Sequence, residues 1–290
     1  MVVPLLHGAR LNLVRGLTSF TLLLPAICIT ASLLVACVII FRYSFNEWDP
    51  VHTMTPAVTS ANYETLLTDP VVRLAFWNTL RLSVIVTAFS LLLGYPVAYA
   101  IVRSRWRTFF VFLLVAPLMT DVLLRAYGWL VMLGNAGLAN RLLSLVGIGP
   151  QRLIYNDLSV VIEMVHEMTP LMVLPIVGAL DRINPSLREA AANLGAEPVR
   201  SFLLITLPLS VSGILAGSLL TFALSMSAFV APLIMGGGNV TTMTVLIQQQ
   251  MLVTLNWPLG AAESVILVLL IILILVGYRR QVRRFAGAVG

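Results

Sequence analysis

The chain has 290 residues, of which 59% are apolar or aromatic and only 10% are charged, and its mean hydropathy is +0.97. A soluble domain carries about 25% charged residues, so this chain has too little polar surface to solvate a globule of its size, and the bilayer is the solvent for most of it. The net charge is +6 and all eighteen basic residues are arginine, which excludes a lysine-bearing phosphate-binding loop, a Schiff-base lysine and a lysine general base.

Apolar runs near the roughly 20 residues that a helix needs to cross a bilayer predict six spans, at 17–41, 82–102, 108–133, 158–180, 209–233 and 260–278. In the first, Cys28 and Cys37 lie nine residues apart on opposite helix faces, which suits neither a disulfide nor a metal site. Leu34 to Cys37 spells a lipobox, but the apolar run continues through Phe41, which favours a retained span over cleavage and lipidation at Cys37. The third span crosses only if Asp121 and Arg125 are taken into it, and their i,i+4 spacing predicts an ion pair within one helix. The fourth takes in Glu163, His166 and Glu167, and the sixth is uncharged apart from Glu263. Ionisable residues inside a bilayer face a bundle interior.

Arg10 and Arg15 precede the first span, Arg103, Arg105 and Arg107 follow the second, Arg182, Arg188 and Arg200 follow the fourth, and Arg279, Arg280, Arg283 and Arg284 follow the sixth. A six-span count puts all of these on one side, while the opposite loops show no positive excess. The arginine side, including both termini, is therefore expected in the cytoplasm, and short arginine groups beside apolar runs argue against nucleic acid as a partner.

The stretch 184–209, NPSLREAAANLGAEPVRSFLLITLPL, carries helix signals outside the bilayer. Ser186 and Glu189 have capping-box spacing, Gly195 is placed to end a first helix in the left-handed region, and Pro198 to start a second. Leu187, Ala190, Ala191 and Leu194 form a small apolar face suited to docking in a groove. An interfacial pair of helices lying against the bundle is the alternative. Pro208 is expected to kink or break the second helix as it meets the membrane.

This loop resembles the EAA motif of ABC importer permeases, E-A-A-x-x-x-G followed by I-x-L-P, with Glu189, Ala190, Ala191, Gly195, Ile205, Leu207 and Pro208 at its specified positions. The resemblance implies an all-α integral membrane protein, with six helices in the type I ABC importer permease fold and a cytoplasmic coupling-helix loop at 184–208. It implies a core at 76–280, preceded at 1–75 by a tail, the first span and a periplasmic loop, and followed by a tail at 281–290. It also implies a location in the bacterial inner membrane and a transport subunit rather than an enzyme. The chain itself would bind no cofactor, with ATP and magnesium on a separate ATP-binding subunit dimer. A periplasmic solute-binding protein and a second, related but different permease chain would complete the assembly.

Asn78-Thr79-Leu80, Gly94 to Tyr99, Leu124 to Trp129, Gly137-Leu138-Ala139-Asn140 and Asn256 to Ala262 are similar to spermidine/putrescine-type permeases. The solute implied is a polyamine, with another small organic solute or an inorganic ion as the alternative, because Ser225 to Gly238 follows the polyamine pattern only loosely and lacks an acidic residue. Asp121, Arg125, Glu163, Glu167, Ser225 and Ser227 are the candidates for the solute path. For Asp121 and Arg125 a self-neutralising structural pair is the competing reading. Glu163 and His166 make half of a di-iron helix pattern, but no second copy exists and the other histidines are His7 and His52, so no metal centre is expected.

Gly213 and Gly217 form a G-x-x-x-G face for close helix packing, and Gly236, Gly237 and Gly238 read as a flexible outer loop, with Gln248, Gln249 and Gln250 as possible polar contacts. An ion-gradient-driven transporter is the alternative class, though it lacks the internal repeat expected of one. A membrane enzyme would need a nucleophile with its base or a metal cluster, and ranks last.

Overall fold

The structure, a computed structural model, describes residues 24–289, with side chains through Tyr278. The expected beginning of the first span at 17–23, Arg10, Arg15, and the side chains of Arg279, Arg280, Arg283 and Arg284 lie outside the described residues. Within them the protein is helical, and the single bridge between Glu47 and Thr55 is isolated. Six segments are long and apolar enough to cross a membrane.

The first, α1 (Leu24–Tyr43), is exposed almost throughout its length, as a helix is that meets lipid or another chain rather than its own core. A short α2 (Ala61–Thr68) leads to α3 (Pro70–Arg103), which begins well before the expected residue 82. Pro70 occupies the first helical turn and the Asp69 carboxylate accepts from the Val71 amide, a complete start signal. Its first turns carry Arg73, Asn78 and Arg81 among the apolar residues, and so escape a search for uninterrupted apolar runs.

The third span departs from the single helix expected at 108–133. That stretch holds α4 (Arg107–Val115), a 3-10 turn (Ala116–Met119) and α5 (Val122–Leu133), broken where Thr120 is extended, and the third membrane-length segment is Val122–Leu145, which runs on from α5. Asp121 is the N-cap of α5, accepting from the Leu123 amide at 2.9 Å. The predicted Asp121–Arg125 ion pair is therefore not formed: the aspartate serves the exposed amides of its own helix, and Arg125 points to a different helix. The chain continues through α6 (Leu138–Leu145).

The central strut is α7 (Asp157–Leu180), started by a capping box between Asn156 and Ser159 and lying along both α3 and α10 (Leu207–Ser227). The approach to α10 depends on the two glycines singled out above. A Cβ on Gly213 would lie 2.6 Å from the Pro175 carbonyl oxygen, and one on Gly217 would lie 2.7 Å from the Met172 carbonyl oxygen. The small-residue face thus packs α10 against α7 within the chain. One buried cluster, including Leu82, Val86, Val160 and Met164, fills the half of the bundle where α7 begins, and another, including Ala98, Met172, Ile176 and Leu180, fills the half where it ends.

The fifth span also differs from 209–233. Helix α10 ends at Ser227, Ala228 is extended, and α11 (Val230–Gly236) packs on α7 and α5 as a separate element. Gly236 is buried, Gly237 adopts φ 54°, and a Cβ there would lie 2.2 Å from the Tyr155 ring. Gly236 and Gly237 are consequently packed rather than part of the open loop expected, whereas Gly238 is exposed with open space where a Cβ would lie. Helix α12 (Met243–Gln248) and a π-turn (Gln249–Val253) lead to α13 (Trp257–Val289), whose first turn is capped by Asn256 accepting from the Leu259 amide.

Candidate functional site

Two sets of residues stand out, one outside the membrane and one within it. The first is the elbow between α7 and α10. Helix α8 (Pro185–Asn193) is capped by the Asn184 side chain, which accepts from the Ser186 amide at 3.0 Å. The expected capping box of Ser186 with Glu189 is absent, because Asn184 lies one residue before Pro185 and takes the cap position. Helix α8 closes with the two bonds of a Schellman motif, Ala196 amide to Ala191 carbonyl and Gly195 amide to Ala192 carbonyl, each 2.9 Å. Gly195 has φ 79°, as its place in the sequence demands. Leu187, Glu189, Ala190 and Leu194 are exposed, and Ala191 is half-buried.

Helix α9 (Pro198–Ser201) continues through a π-turn at Phe202–Thr206 directly into α10, giving one uninterrupted 30-residue segment, Pro198–Ser227. Pro208 does not break it, and the distortion expected there takes the form of the π-turn. In the wide turn the Leu207 amide donates to the Phe202 carbonyl, and this widening accommodates the proline ring that would clash in a tight α-turn. Within the turn, Phe202 sits edge-on to both Tyr95 and Tyr99 of α3, with ring centroids 5.8 and 5.4 Å apart. Tyr95 hydrogen-bonds Ser210 of α10 at 2.9 Å, and the Arg103 guanidinium lies 4.3 Å from the Tyr99 ring centre. Arg107 makes a two-pronged ion pair with Asp181 at the end of α7. The elbow is thus packed on α3 through Phe202 and continuous with α10, while Arg107 ties the start of α4 to the end of α7. Phe202 was not singled out in the sequence, although the i,i+4 spacing of Tyr95 and Tyr99 marks an aromatic face on α3.

The second set lies between α5 and α7. Arg125, 7% exposed, holds Glu167 at 2.6 Å through Nη2 and Glu163 at 3.4 Å through Nε, and donates from Nη1 to the Pro117 carbonyl at 3.0 Å. One cation thus serves two carboxylates and also fastens the broken third span. Glu163 is fully buried, and its Oε2 has no partner. Beside them the Trp129 indole donates to His166 Nδ1 at 3.3 Å. Glu167 borders a cavity of about 230 Å³ shared with Leu118, Val122, Leu224 and Ala228.

Arg125, Glu163 and Glu167 are therefore brought together, whereas Asp121 is exposed and occupied with its helix cap. Ser225 is buried with an unpartnered hydroxyl, and Ser227 is exposed and donates to Leu224. No group of three or more His, Cys, Asp and Glu side chains capable of holding a metal occurs among the described residues.

Residues 87–287 match the family described as binding-protein-dependent transport system inner membrane components. The chain belongs to this family. The permease is 34% identical over 251 residues to the spermidine/putrescine transport system permease protein PotB of Haemophilus influenzae, covering 85% of the present chain and 87% of that one. It is 33% identical over 244 residues to the Escherichia coli protein of the same name, covering 83% and 88%. A probable molybdenum ABC transporter permease of Haloferax volcanii is 30% identical over 223 residues, covering 76% of the present chain and 78% of the relative.

The fold agrees with that of a solved bacterial ABC transporter involved in alginate import, with a TM-score of 0.81 at 18% identity, covering 96% and 99% of the two chains. The permease is thus a multi-pass, inner-membrane-type transport component of the type I fold and not an enzyme, and the gradient-driven transporter weighed from the sequence is set aside.

Several motif residues quoted above now have structural reasons. Asn140 donates to the Gly134 and Gln151 carbonyls and accepts from the Gln151 amide, closing the loop that follows α6. A Cβ on Gly137 would lie 2.4 Å from the Met132 carbonyl oxygen. Asn78 and Thr79 hold the strand of backbone before α12, through the Thr241 carbonyl and the Met243 amide.

Proposed function

We propose that this permease forms half of the membrane pore of an ATP-driven importer of polyamines of the spermidine/putrescine class. In this reading its core spans 76–280, with the segments 1–75 and 281–290 lying outside it. Both termini and the elbow are cytoplasmic, in keeping with the arginine distribution. The elbow seats in an ATP-binding subunit of a dimer that carries ATP and magnesium, a second, related but different permease completes the pore, and a periplasmic binding protein delivers the solute.

The observation that carries the importer role is the elbow. Glu189, Ala190, Ala191 and Gly195 build an exposed, rigidly terminated helix, while Ile205, Leu207 and Pro208 belong to the π-turn and first turn of α10 that join it to the bundle beside the Phe202 contacts. The polyamine assignment rests on the relatives' solute and on the charge balance inside the membrane, where one guanidinium faces two carboxylates and leaves an acceptor free. Arg125, Glu163 and Glu167 line the path in this reading. The cavity beside Glu167 touches Leu224 and Ala228, which bring Ser225 and Ser227 of α10 alongside, and Asp121 lies at the head of the same helix as Arg125.

The test is a thermal-shift ligand screen on the cognate binding protein, followed by uptake in vesicles containing the assembled importer. Stabilisation by spermidine or putrescine and ATP-dependent uptake of the same amine support the assignment. Binding of an oxyanion or a neutral solute in place of amines overturns the polyamine reading.

A further inference from the structure

The sixth span holds a second buried carboxyl that none of the contacts above uses. Glu263 lies six residues into α13, about 9 Å along the helix from its first residue. It is 0% exposed, and neither of its carboxyl oxygens has a hydrogen-bond partner. No ion pair reaches it among the described residues, whereas the other fully buried glutamate, Glu163, is held by Arg125.

Its surroundings are apolar apart from the Asp69 carboxylate at the head of α3, which is near enough to repel it. Leu259 and Leu267, one turn before and one turn after it on the same helix face, belong to a cluster with Val72 and Ala75 of α3 and Met226 of α10. Thr221 and Ser225 of α10, next in sequence to Phe222 and Met226 of this cluster, are also buried with unpartnered hydroxyls.

A carboxyl buried without a partner is strongly disfavoured relative to an apolar side chain, and an intramembrane ionisable group in this condition marks function rather than packing. A buried carboxyl that ionises when a cation arrives, set among leucine, valine and methionine side chains, matches one ligand chemistry closely: a protonated amine on a methylene chain. The ammonium would meet the carboxylate and the methylenes would meet the apolar walls.

We propose that Glu263 is a second amine-binding carboxylate of the solute path, shut in this conformation and opened when the outer end of α13 parts from α3 and α10. Toward its other end α13 is tied to α10 through the Tyr278 hydroxyl, which donates to the Leu215 carbonyl 2.7 Å away and offers a point about which such an opening would turn. The site rests on the polyamine reading above and deepens it, adding an acidic contact on a helix separate from the Arg125 cluster.

The experiment compares wild type with Glu263→Gln, Glu263→Asp and Glu263→Leu in the assembled importer, reading labelled putrescine and spermidine uptake beside the heat resistance of the purified complex. Glu263→Gln and Glu263→Leu are expected to lower uptake about tenfold, the value of one buried charge-assisted contact, and Glu263→Asp to keep a substantial part of it. Glu263→Leu is also expected to raise the unfolding temperature, since it removes the unpartnered acid; this combination separates function from folding. Wild-type levels of amine uptake in Glu263→Gln or Glu263→Leu overturn the site while leaving the polyamine reading intact. A wild-type importer that takes up no di- or polyamine overturns both.

Discussion

Replacing Arg125 with methionine removes the single cation of the membrane cluster while keeping a long, flexible, apolar side chain in its place. Three acceptors lose their donor at once: Glu167 at 2.6 Å, Glu163 at 3.4 Å and the Pro117 carbonyl at 3.0 Å. Glu163 is fully buried and already has one bare oxygen, so after the change neither of its oxygens has a partner. Breaking a buried ion pair by removing one partner costs about 3 to 5 kcal/mol, more than the pair itself contributes, because the surviving charge stays desolvated. Loss of the Pro117 contact also frees the joint between α4 and α5. Purified complex heated in stages and assayed by size-exclusion chromatography should therefore lose its monodisperse peak several degrees lower than wild type.

Arg125→Lys should fall between the two, since one ammonium cannot replicate a fork that reaches three acceptors on two elements. Changing Arg125, Glu163 and Glu167 together to apolar residues should recover most of the heat resistance, while amine uptake remains low. Wild-type heat resistance in Arg125→Met would refute the assignment of the cluster as a structural fastener. Full uptake by the triple variant would refute its place on the path.

Gly213→Ala and Gly217→Ala should each force α10 from α7, since the added methyl meets backbone 2.6 to 2.7 Å away; overpacking of this kind costs about 1 to 3 kcal/mol and is read as lower expression and heat resistance, and unchanged values would show that the two helices separate freely. Gly195→Ala places a side chain at φ 79°, costing about 1 kcal/mol, and should loosen the elbow. Stimulation of ATPase activity by the loaded binding protein should fall more than basal ATPase activity does. Phe202→Ala empties the contacts with Tyr95 and Tyr99 and is expected to uncouple in the same way, with Phe202→Tyr retaining much of the stimulation.

The number of spans and the elbow were legible in the amino-acid sequence because each depends on local rules. A helix must be long and apolar to cross lipid, and Gly195 and Pro198 dictate a turn whatever surrounds them. The same local reading failed where several groups compete for one partner. Asp121 and Arg125 have the spacing of a pair, yet Asp121 is taken by the bare amides of its own helix start, and Arg125 is drawn to two carboxylates on α7 that no spacing rule connects to it. Ser186 likewise has the spacing of a cap but lost the position to Asn184, which precedes the proline.

By itself the sequence determined six spans and an exposed elbow between the fourth and fifth, since those properties follow from composition and from contacts within a few residues, and its motif spelling pointed to the permease family. Only the tertiary structure decided that the third span is broken, that Gly213 and Gly217 serve packing within the chain, that Phe202 couples the elbow to α3, and that Glu163 is paired while Glu263 is not. Each of these depends on which helices come together, and that is settled by the packing of whole surfaces, in which residues far apart in sequence become the only available partners for one another.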